Sequence, residues 1–163
     1  SQEVQIKNLF PYIYPDQSEI KKLDIFYFSY FFKWSMLDNW NYVREKLPEF
    51  KTDPDGRVEG TFTNFDSLDD KIDPLYYYMQ YVKFGFGRAT RDSCRMIQND
   101  QMTREEAIEL VRKYDHEFPS KDIKDILGYF SLNLDELNVI IDKHRNQEIW
   151  KTKNNNWELI NKL

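Results

Sequence analysis

The stretch Lys83-Phe84-Gly85-Phe86-Gly87-Arg88-Ala89-Thr90-Arg91-Asp92 decides how the centre of this sequence folds, because it holds two of the chain's five glycines. Glycine lacks a Cβ atom, so it lets other groups approach the backbone closely and it readily ends a helix. Lys83, Arg88 and Arg91 surround the glycines with donors suited to phosphate or carboxylate. The stretch therefore predicts an anion site, or else a break or close crossing between two helices.

Amphipathic and capping patterns predict helices on both sides of this stretch. Ser67-Leu68-Asp69-Asp70 is a capping pattern that predicts the start of a long helix, although Pro74 is tolerated only in its first turn or two. A second helix is expected to continue to about Gln98. Four further helix starts are predicted, at Ser35, Thr103, Pro119 and Asn133.

Large rings dominate the apolar part of the composition. Aromatic residues make up 17% of the chain while charged residues make up 31% and the mean hydropathy is -0.77, so we expect a core rich in Phe and Tyr. The run from Ile25 to Phe32 is the most apolar, and it fits either a helical stripe or a short buried strand, of which we favour the strand. It is far shorter than the ~20 residues of a membrane span.

These patterns predict a mainly α fold with one short strand or hairpin. A length of 163 residues suits one domain with its own core. We expect an irregular arm at residues 1–19, a single mostly helical domain at residues 20–146 and a polar tail at residues 147–163, with Trp150 and Trp157 as its anchors.

Charge and cysteine content exclude several classes of function. The net charge of -5 and a pI near 5.1 argue against nucleic-acid binding, which normally requires a basic face. Cys94 is the only cysteine, and His116 and His144 are far apart, so neither a disulfide framework nor a zinc site is expected. We find no secretory signal, and we predict a cytoplasmic protein.

A second polar cluster precedes the glycine stretch, between Glu59 and Lys71. Its carboxylates could hold Mg²⁺ or orient a sugar, and its amide and hydroxyl groups suit sugar or phosphate oxygens. The candidates from this cluster are Glu59, Asn64, Asp69, Asp70 and Lys71. The alternative is a capped loop in which Ser67 and Asp70 only satisfy backbone donors, beside a solvated charged face that includes Lys71, Lys83, Arg88 and Arg91.

Several common catalytic motifs are missing. The sequence contains no Gly-x-x-x-x-Gly-Lys-Ser/Thr loop, no Ser-Gly-Gly-x-Asp-Ser loop and no Gly-x-Ser-x-Gly elbow. The residues therefore indicate anion-binding elements without a complete catalytic apparatus.

Five segments closely resemble the C-terminal half of bacterial N-acetyl sugar amidotransferases, which are lipopolysaccharide-biosynthesis enzymes of the PP-loop ATPase type. They are Glu59–Asp73, Tyr81–Asp92, Met102–Ala107, Leu110–Asp115 and Glu117–Pro119. They occur in the family's order with sensible spacing, and the resemblance as a whole covers roughly residues 25 to 145 of the chain. The resemblance implies that this chain is the C-terminal portion of an α/β PP-loop enzyme.

The resemblance also implies a reaction. Such ligases convert a sugar acetamido group to an acetamidino group in the making of surface polysaccharides such as O-antigen. The amide oxygen is adenylated by ATP, which releases pyrophosphate, and ammonia then displaces AMP. The implied cofactors of the full-length enzyme are therefore ATP and Mg²⁺, with neither tightly bound to this chain.

The resemblance further implies partners and site residues. The partners are an N-terminal PP-loop domain of the same protein, a glutaminase subunit that supplies ammonia, and a nucleotide-linked N-acetyl sugar. Because the ATP-binding loop is missing here, we expect the isolated chain to be inactive. The residues expected to bind substrate or phosphate are Lys83, Gly85, Gly87, Arg88, Thr90, Arg91, Asn64 and Lys71, with Asp69, Asp70 and Glu59 as candidates for Mg²⁺ or sugar.

A different class of function stays open at this point. The region could instead be a helical interaction module that docks the glutaminase or joins subunits, with part of its aromatic excess at the interface. Complex formation with the glutaminase, or large exposed aromatic patches, would favour that alternative.

Overall fold

A computed structural model describes residues 9–154 and 156–161. They belong to two compact units, one ending at Trp34 and the other beginning at Ser35. The domain division at residues 19 and 146 stays a prediction. Residues 1–8 of the predicted arm, and residues 155, 162 and 163 of the predicted tail, lie outside the described residues.

The first unit consists of short turns. It contains a 3-10 turn at Phe10–Tyr12, the four-residue helix α1 at Gln17–Ile20 and a second 3-10 turn at Phe28–Tyr30. Every described residue from 9 to 34 is exposed.

The prediction of a buried strand within residues 25–32 is wrong. Phe28 stacks on Phe32 with ring centroids 4.6 Å apart. An extended strand would separate residues i and i+4 by about 13 Å, so this contact requires the turn that the structure shows. The apolar run lacks the polar alternation that fixes one face of a strand, and local ring contacts decide its conformation instead.

The second unit is built from helices and ends in a hairpin. The helices are α2 at Met36–Lys46, α3 at Asp73–Phe84, α4 at Arg88–Gln98, α5 at Arg104–Tyr114, α6 at Ile123–Phe130 and α7 at Leu134–Lys143. Strands β1 at Trp150–Lys153 and β2 at Asn156–Leu159 form an antiparallel pair, the one sheet within the described ranges. The predicted mainly α fold with one short hairpin is confirmed.

Three of the predicted helix starts are confirmed by their caps. The Ser35 side chain accepts a hydrogen bond from the Asp38 amide, and Thr103 and Asn133 each form a complete capping box with the glutamate three residues later. These starts were predictable because a cap depends on residues only three positions apart. The predicted break at the glycine stretch is also confirmed, between α3 and α4.

Two predicted starts are misplaced. The helix expected from Ser67 begins at Asp73, where Pro74 occupies the first turn and needs no amide hydrogen. The helix expected from Pro119 begins at Ile123. There, both the amide and the hydroxyl of Ser120 donate to Glu59, 3.1 Å and 2.5 Å away, which holds this segment in a turn.

The core is aliphatic, so the expectation of a Phe- and Tyr-rich core is wrong. Its buried cluster consists of Leu75 and Val82 from α3, Ile126 from α6, and Leu137 and Ile141 from α7. Aromatic residues such as Tyr78 and Phe118 flank this cluster and stay partly exposed. Rings are seldom fully enclosed in a small domain, and tyrosine keeps its hydroxyl near water or a partner.

The hairpin packs against α3. Trp150, which is 5% exposed, donates its indole N–H to the carbonyl of Val82 at 2.6 Å. The Arg145 guanidinium lies 4.7 Å from the ring of Trp150 and 5.4 Å from that of Trp157. Both tryptophans expected to anchor the tail therefore contact one cation, a geometry that favours cation–π attraction.

Candidate functional site

The start of α4 is occupied by a carboxylate of the chain itself. Asp115, which follows α5, is 6% exposed and accepts from the amide of Gly87 at 2.7 Å and from the amide of Thr90 at 2.9 Å. The Thr90 hydroxyl also donates to Asp115, at 2.8 Å. These are the unpaired amides that a helix N-terminus offers to an anion. A ligand phosphate would have to displace Asp115 to reach them.

Each glycine of the central stretch has its own backbone role. Gly85 ends α3 with a φ of +80°, in the left-handed region that glycine adopts without strain. A Cβ atom on Gly87 would lie 2.7 Å from the carbonyl oxygen of Asp115 and 3.0 Å from its Oδ1 atom. Gly87 is therefore needed for the close approach of Asp115 to the helix start.

The loop before α3 is held onto this helix start. Gly60 accepts from the Ala89 amide at 3.0 Å and donates its own amide to Glu117 at 2.9 Å. Arg57 binds both oxygens of Glu117, at 2.6 Å and 2.7 Å, and its guanidinium lies 4.4 Å from the centre of the Tyr114 ring. A bidentate pair of this kind is both strong and specific in geometry.

Arg88 is enclosed inside the second unit. Its side chain is 0% exposed and donates from Nη2 to the carbonyl of Asp66 at 2.5 Å. The Asp92 carboxylate lies 3.8 Å from Nε, and the Tyr77 ring centre lies 4.9 Å from the guanidinium carbon. Burial lowers the pKa of Arg88, and the charge of Asp92 partly offsets this effect. Nε and Nη1 of Arg88 have no hydrogen-bond partner among the described residues.

Arg91 completes the same network one turn later. It binds Asp66 at 2.7 Å and Asp92 at 2.9 Å, and it donates to the hydroxyl of Tyr77. Burial alone would lower the pKa of Arg91, but Asp92, Tyr77 and Asp66 together raise it. Thr61 donates to Asp92 at 2.7 Å. The two arginines and two aspartates therefore balance in charge within one cluster, in which Arg88 and Asp92 are buried and Arg91 and Asp66 are partly exposed.

A separate cleft of about 350 Å³ collects three of the predicted site residues. We call it the Lys71 cleft; Glu59, Asp70, Lys71, Pro74, Lys121 and Asp122 are among the residues that line it. Lys71 donates to Asp125 and lies 3.9 Å from Asp122, and these carboxylates raise the pKa of Lys71. Cations and carboxylates therefore lie around an open cleft whose lining is largely apolar, and in such a cleft a few placed polar groups orient the ligand.

Within the Lys71 cleft, the carboxylates also shape the loop. Glu59 accepts from the amides of Ser120 and Lys121, at 3.1 Å and 3.1–3.2 Å. Asp70 accepts from the amide of Ile72 at 2.8 Å, so its predicted capping role is present in the structure. Lys121 forms an ion pair with Asp53 at 3.1 Å, and both residues line the cleft.

The remaining predicted residues lie elsewhere. Lys83 lines a second cleft of about 400 Å³, which we call the Lys83 cleft, together with Tyr76, Phe84, Phe86 and His144. The backbone carbonyl of Asn64 accepts a hydrogen bond from the backbone amide of Asp53 at 2.9 Å. Asp69 is exposed. The structure thus brings Glu59, Asp70 and Lys71 to the Lys71 cleft, but Lys83 lies at the Lys83 cleft and Arg88 and Arg91 lie in the network with Asp92. Gly85, Gly87 and Thr90 lie at the junction of α3 and α4, and Asn64 and Asp69 line neither cleft.

Sequence reasoning missed the acidic half of this network. Asp66, Asp92, Asp115 and Glu117 all lie in segments that carry the family resemblance, but none was assigned a role. The spacing of Arg88 and Asp92, four residues apart on one helix, was a signal that could have been read. No local signal connects Asp115 to Gly87, because 28 positions separate them.

Carboxylates of the chain itself bind the groups of the glycine stretch that were expected to bind phosphate. The amides of Gly87 and Thr90 at the start of α4 are bound by Asp115, and Arg91 is paired with Asp66 and Asp92. Across residues 9–154 and 156–161, no three His, Cys, Asp or Glu side chains are grouped so that they could hold a metal ion. In the same ranges, no helix has the length and apolarity to cross a membrane.

Comparison with known proteins identifies one family. A family model described as the C-terminal domain of the WbpG-like LPS biosynthesis protein matches residues 59–163. The match begins at Glu59, in the Lys71 cleft, and includes the network around Arg88 and the terminal hairpin. A comparison with curated proteins gives no match.

Proposed function

This chain belongs to the family of WbpG-like C-terminal domains of LPS biosynthesis proteins, and we propose that it forms the sugar-binding end of an amidotransferase that makes acetamidino sugars. The membership indicates a role in lipopolysaccharide biosynthesis. The finer assignment, an ATP-dependent conversion of a sugar acetamido group in O-antigen precursors, is our proposal. It is supported by the resemblance of the five sequence segments and by the chemistry of the Lys71 cleft.

The observation that carries this proposal is the Lys71 cleft. It brings together Glu59, Asp70 and Lys71, which are close in sequence, with Lys121 from the turn before α6. Its charged groups are fixed by pairs such as Lys121 with Asp53 and Lys71 with Asp125. Paired and partly exposed groups of this kind can exchange water for ligand hydroxyls without leaving a buried charge unpaired.

We assign the activation of the amide to the N-terminal domain of the full protein. Because this chain offers no phosphate loop, its contribution is to bind and orient the sugar so that the acetamido oxygen meets the activating group. Orientation of this kind can account for a large share of the rate acceleration in a reaction between two bound substrates. The isolated chain is therefore expected to release no AMP.

The experiment that tests this function uses the full-length protein. It would be incubated with ATP, Mg²⁺, an ammonium salt and a nucleotide-linked N-acetyl sugar, and the products would be followed by mass spectrometry and by AMP release. We expect one AMP for each amide oxygen replaced by NH. ADP formation, or an unchanged sugar in the presence of all four reactants, would overturn the proposed reaction.

A second candidate function is supported by the Lys83 cleft. Tyr76, Phe84 and Phe86 are 63%, 57% and 46% exposed beside Lys83. Exposed aromatic rings are typical of the centre of a protein interface, and a charged residue such as Lys83 is typical of its rim. This surface could dock the glutaminase subunit that supplies ammonia.

The two candidates predict different kinetics for the same variant. Tyr76→Ser with Phe84→Ser should abolish glutamine-dependent turnover but leave ammonium-dependent turnover unchanged if the Lys83 cleft docks the glutaminase. Equal loss with both nitrogen sources would contradict the docking function. Tyr129→Ser, which changes a tyrosine that is 72% exposed in α6, is the matched control.

A further inference from the structure

Residues 25–34 form a dense exposed surface, which we call the aromatic segment. It carries seven aromatic rings, and their exposure ranges from 54% for Trp34 to 83% for Tyr27. With 150–250 Å² for each ring, roughly 700–1,200 Å² of aromatic surface is left open. The largest apolar patch on a typical monomer is only about 300–600 Å². A surface of this size is typical of an interaction site.

The rings are already assembled. Phe28 stacks on Phe32 at 4.6 Å and meets Trp34 edge-on at 5.7 Å, while Phe26 meets Phe31 at 5.8 Å. Preassembled side chains lose less conformational freedom when a partner covers them. The cluster is therefore suited to binding rather than merely left over from a missing core.

Charged residues flank the longest uncharged run of this segment, from Ile25 to Phe32. No residue from Ile25 to Phe32 is charged, whereas Asp24 precedes the run and Lys33 follows it. An apolar centre with a charged rim is the usual anatomy of a protein interface.

The family membership identifies the occupant. The matching family is described as a C-terminal domain, so the full protein has a domain on the N-terminal side of residues 59–163. The aromatic segment precedes the matched residues on the chain, on the side where the N-terminal domain joins the C-terminal domain. A covalently joined domain is present at an effective concentration of about a millimolar or more, which favours it over a separate partner.

We propose that the aromatic segment is the docking surface for the N-terminal domain of the same protein. This inference rests on the family membership and on the exposure of the rings. It does not depend on the proposed amidotransferase reaction, so the two can fail separately. Docking here would join the helical domain to the domain that we assign to amide activation.

Hydrogen–deuterium exchange in the full-length protein tests this proposal. The backbone hydrogen bonds given for this segment span only three or four residues, such as Tyr30 to Tyr27 and Phe32 to Phe28. Isolated turns of this kind give little protection, so uncovered amides would exchange almost at once. We expect slow exchange of residues 25–34 in the native full-length protein. Immediate exchange there would overturn the proposal.

A pair of substitutions locates the contact. Tyr27→Ser with Tyr30→Ser changes side chains that are 83% and 82% exposed, so the helical unit should keep its fold. In the full-length monomer this double variant should lose the slow exchange and increase the radius of gyration, whereas Tyr129→Ser should do neither. Protection that disappears on dilution together with a dimer would overturn the proposal in favour of a second copy. Unchanged protection in the double variant would also overturn it.

Discussion

The Asp115 carboxylate lies 2.7 Å from the amide nitrogen of Gly87, where it caps the start of α4. A charge on this side chain also interacts favourably with the helix dipole. The glycine stretch therefore forms a joint in which α4 is fixed to the end of α5 by an anion from the chain itself. Because Arg88 and Arg91 lie on α4, this contact also helps to fix their position.

Replacement of Gly87 by alanine should destabilise the helical unit. The added Cβ would lie 2.7 Å from a backbone oxygen of Asp115, and backbone cannot yield as a flexible side chain does. We expect the free energy of unfolding to fall by about 1–3 kcal/mol, measured by urea denaturation.

Gly128→Ala is the matched control for this substitution. Gly128 lies inside α6, and a Cβ atom there would meet no other atom within 4 Å. Alanine should raise stability by about 0.5–1 kcal/mol, since it is the better helix former. Equal effects of the two substitutions would contradict the packing described at Gly87.

Loss of the Asp115 carboxylate should weaken the same joint. Asp115→Ala leaves the amides of Gly87 and Thr90 without their acceptor, so we expect a loss of about 1–3 kcal/mol in unfolding free energy. Asp115→Asn retains one oxygen and should lose less. If the unfolding free energy of the alanine variant stays within about 0.5 kcal/mol of the wild-type value, the size of an ordinary surface substitution, the capping role is refuted.

Arg88 should act mainly on stability. Arg88→Met removes a cation that is 0% exposed and leaves Asp92 with fewer partners, so we expect a loss of about 3 kcal/mol in thermal or urea unfolding. The control Arg112→Met breaks an exposed pair with Glu109 and should cost less than about 1 kcal/mol. If Arg88 instead contacts phosphate, the variant of the full-length enzyme will raise KM without a loss of stability.

The raised pKa of Tyr81 predicts that the protein loses stability at high pH. Burial, followed by the charge of Asp115, raises the pKa of Tyr81 from 10.0 to about 12. Between these values the folded protein holds a proton that the unfolded chain has released, so stability falls as the pH rises through this window. Because Tyr81 is only partly buried, its share of this loss should be at most about 2 kcal/mol.

The Tyr81→Phe variant isolates this effect. It keeps the ring, which meets Trp150 edge-on at 5.2 Å, but has no hydroxyl to ionise. Its unfolding free energy should therefore decline less steeply than that of wild type between pH 10 and 12. If the unfolding free energies of the two proteins fall in parallel with pH, the pKa of Tyr81 is not raised by folding.

The parts of the fold that were predictable are those that depend on neighbours in sequence. The caps at Ser35, Thr103 and Asn133 each involve a partner three residues away, and all were identified. The start of α3 was misplaced because a capping pattern at Ser67 was given more weight than the preference of Pro74 for the first turn. The prediction that residues 25–32 form a buried strand was wrong because apolar composition alone does not determine what covers a segment.

The sequence allowed some residues of the candidate site to be chosen, but it did not show how they are arranged in space. Glu59, Asp70 and Lys71 were chosen for their chemistry, and the structure brings them to one cleft. The pairing of Arg91 with Asp66 joins residues 25 positions apart, and that of Gly87 with Asp115 joins residues 28 apart. Contacts over such separations follow from the packing of whole elements and leave no periodic signal in the sequence.

The most direct test of this account is the KM of the full-length enzyme for the nucleotide-linked N-acetyl sugar in the Lys71→Ala variant. Lys71 is exposed, so the substitution should leave the fold intact, and Lys46→Ala, which changes an exposed lysine in α2, is the control. We predict that KM rises about tenfold for Lys71→Ala at unchanged kcat, the size of one lost charged hydrogen bond, and stays at the wild-type value for Lys46→Ala. A KM equal to wild type in both variants would contradict the assignment of the Lys71 cleft to the sugar substrate.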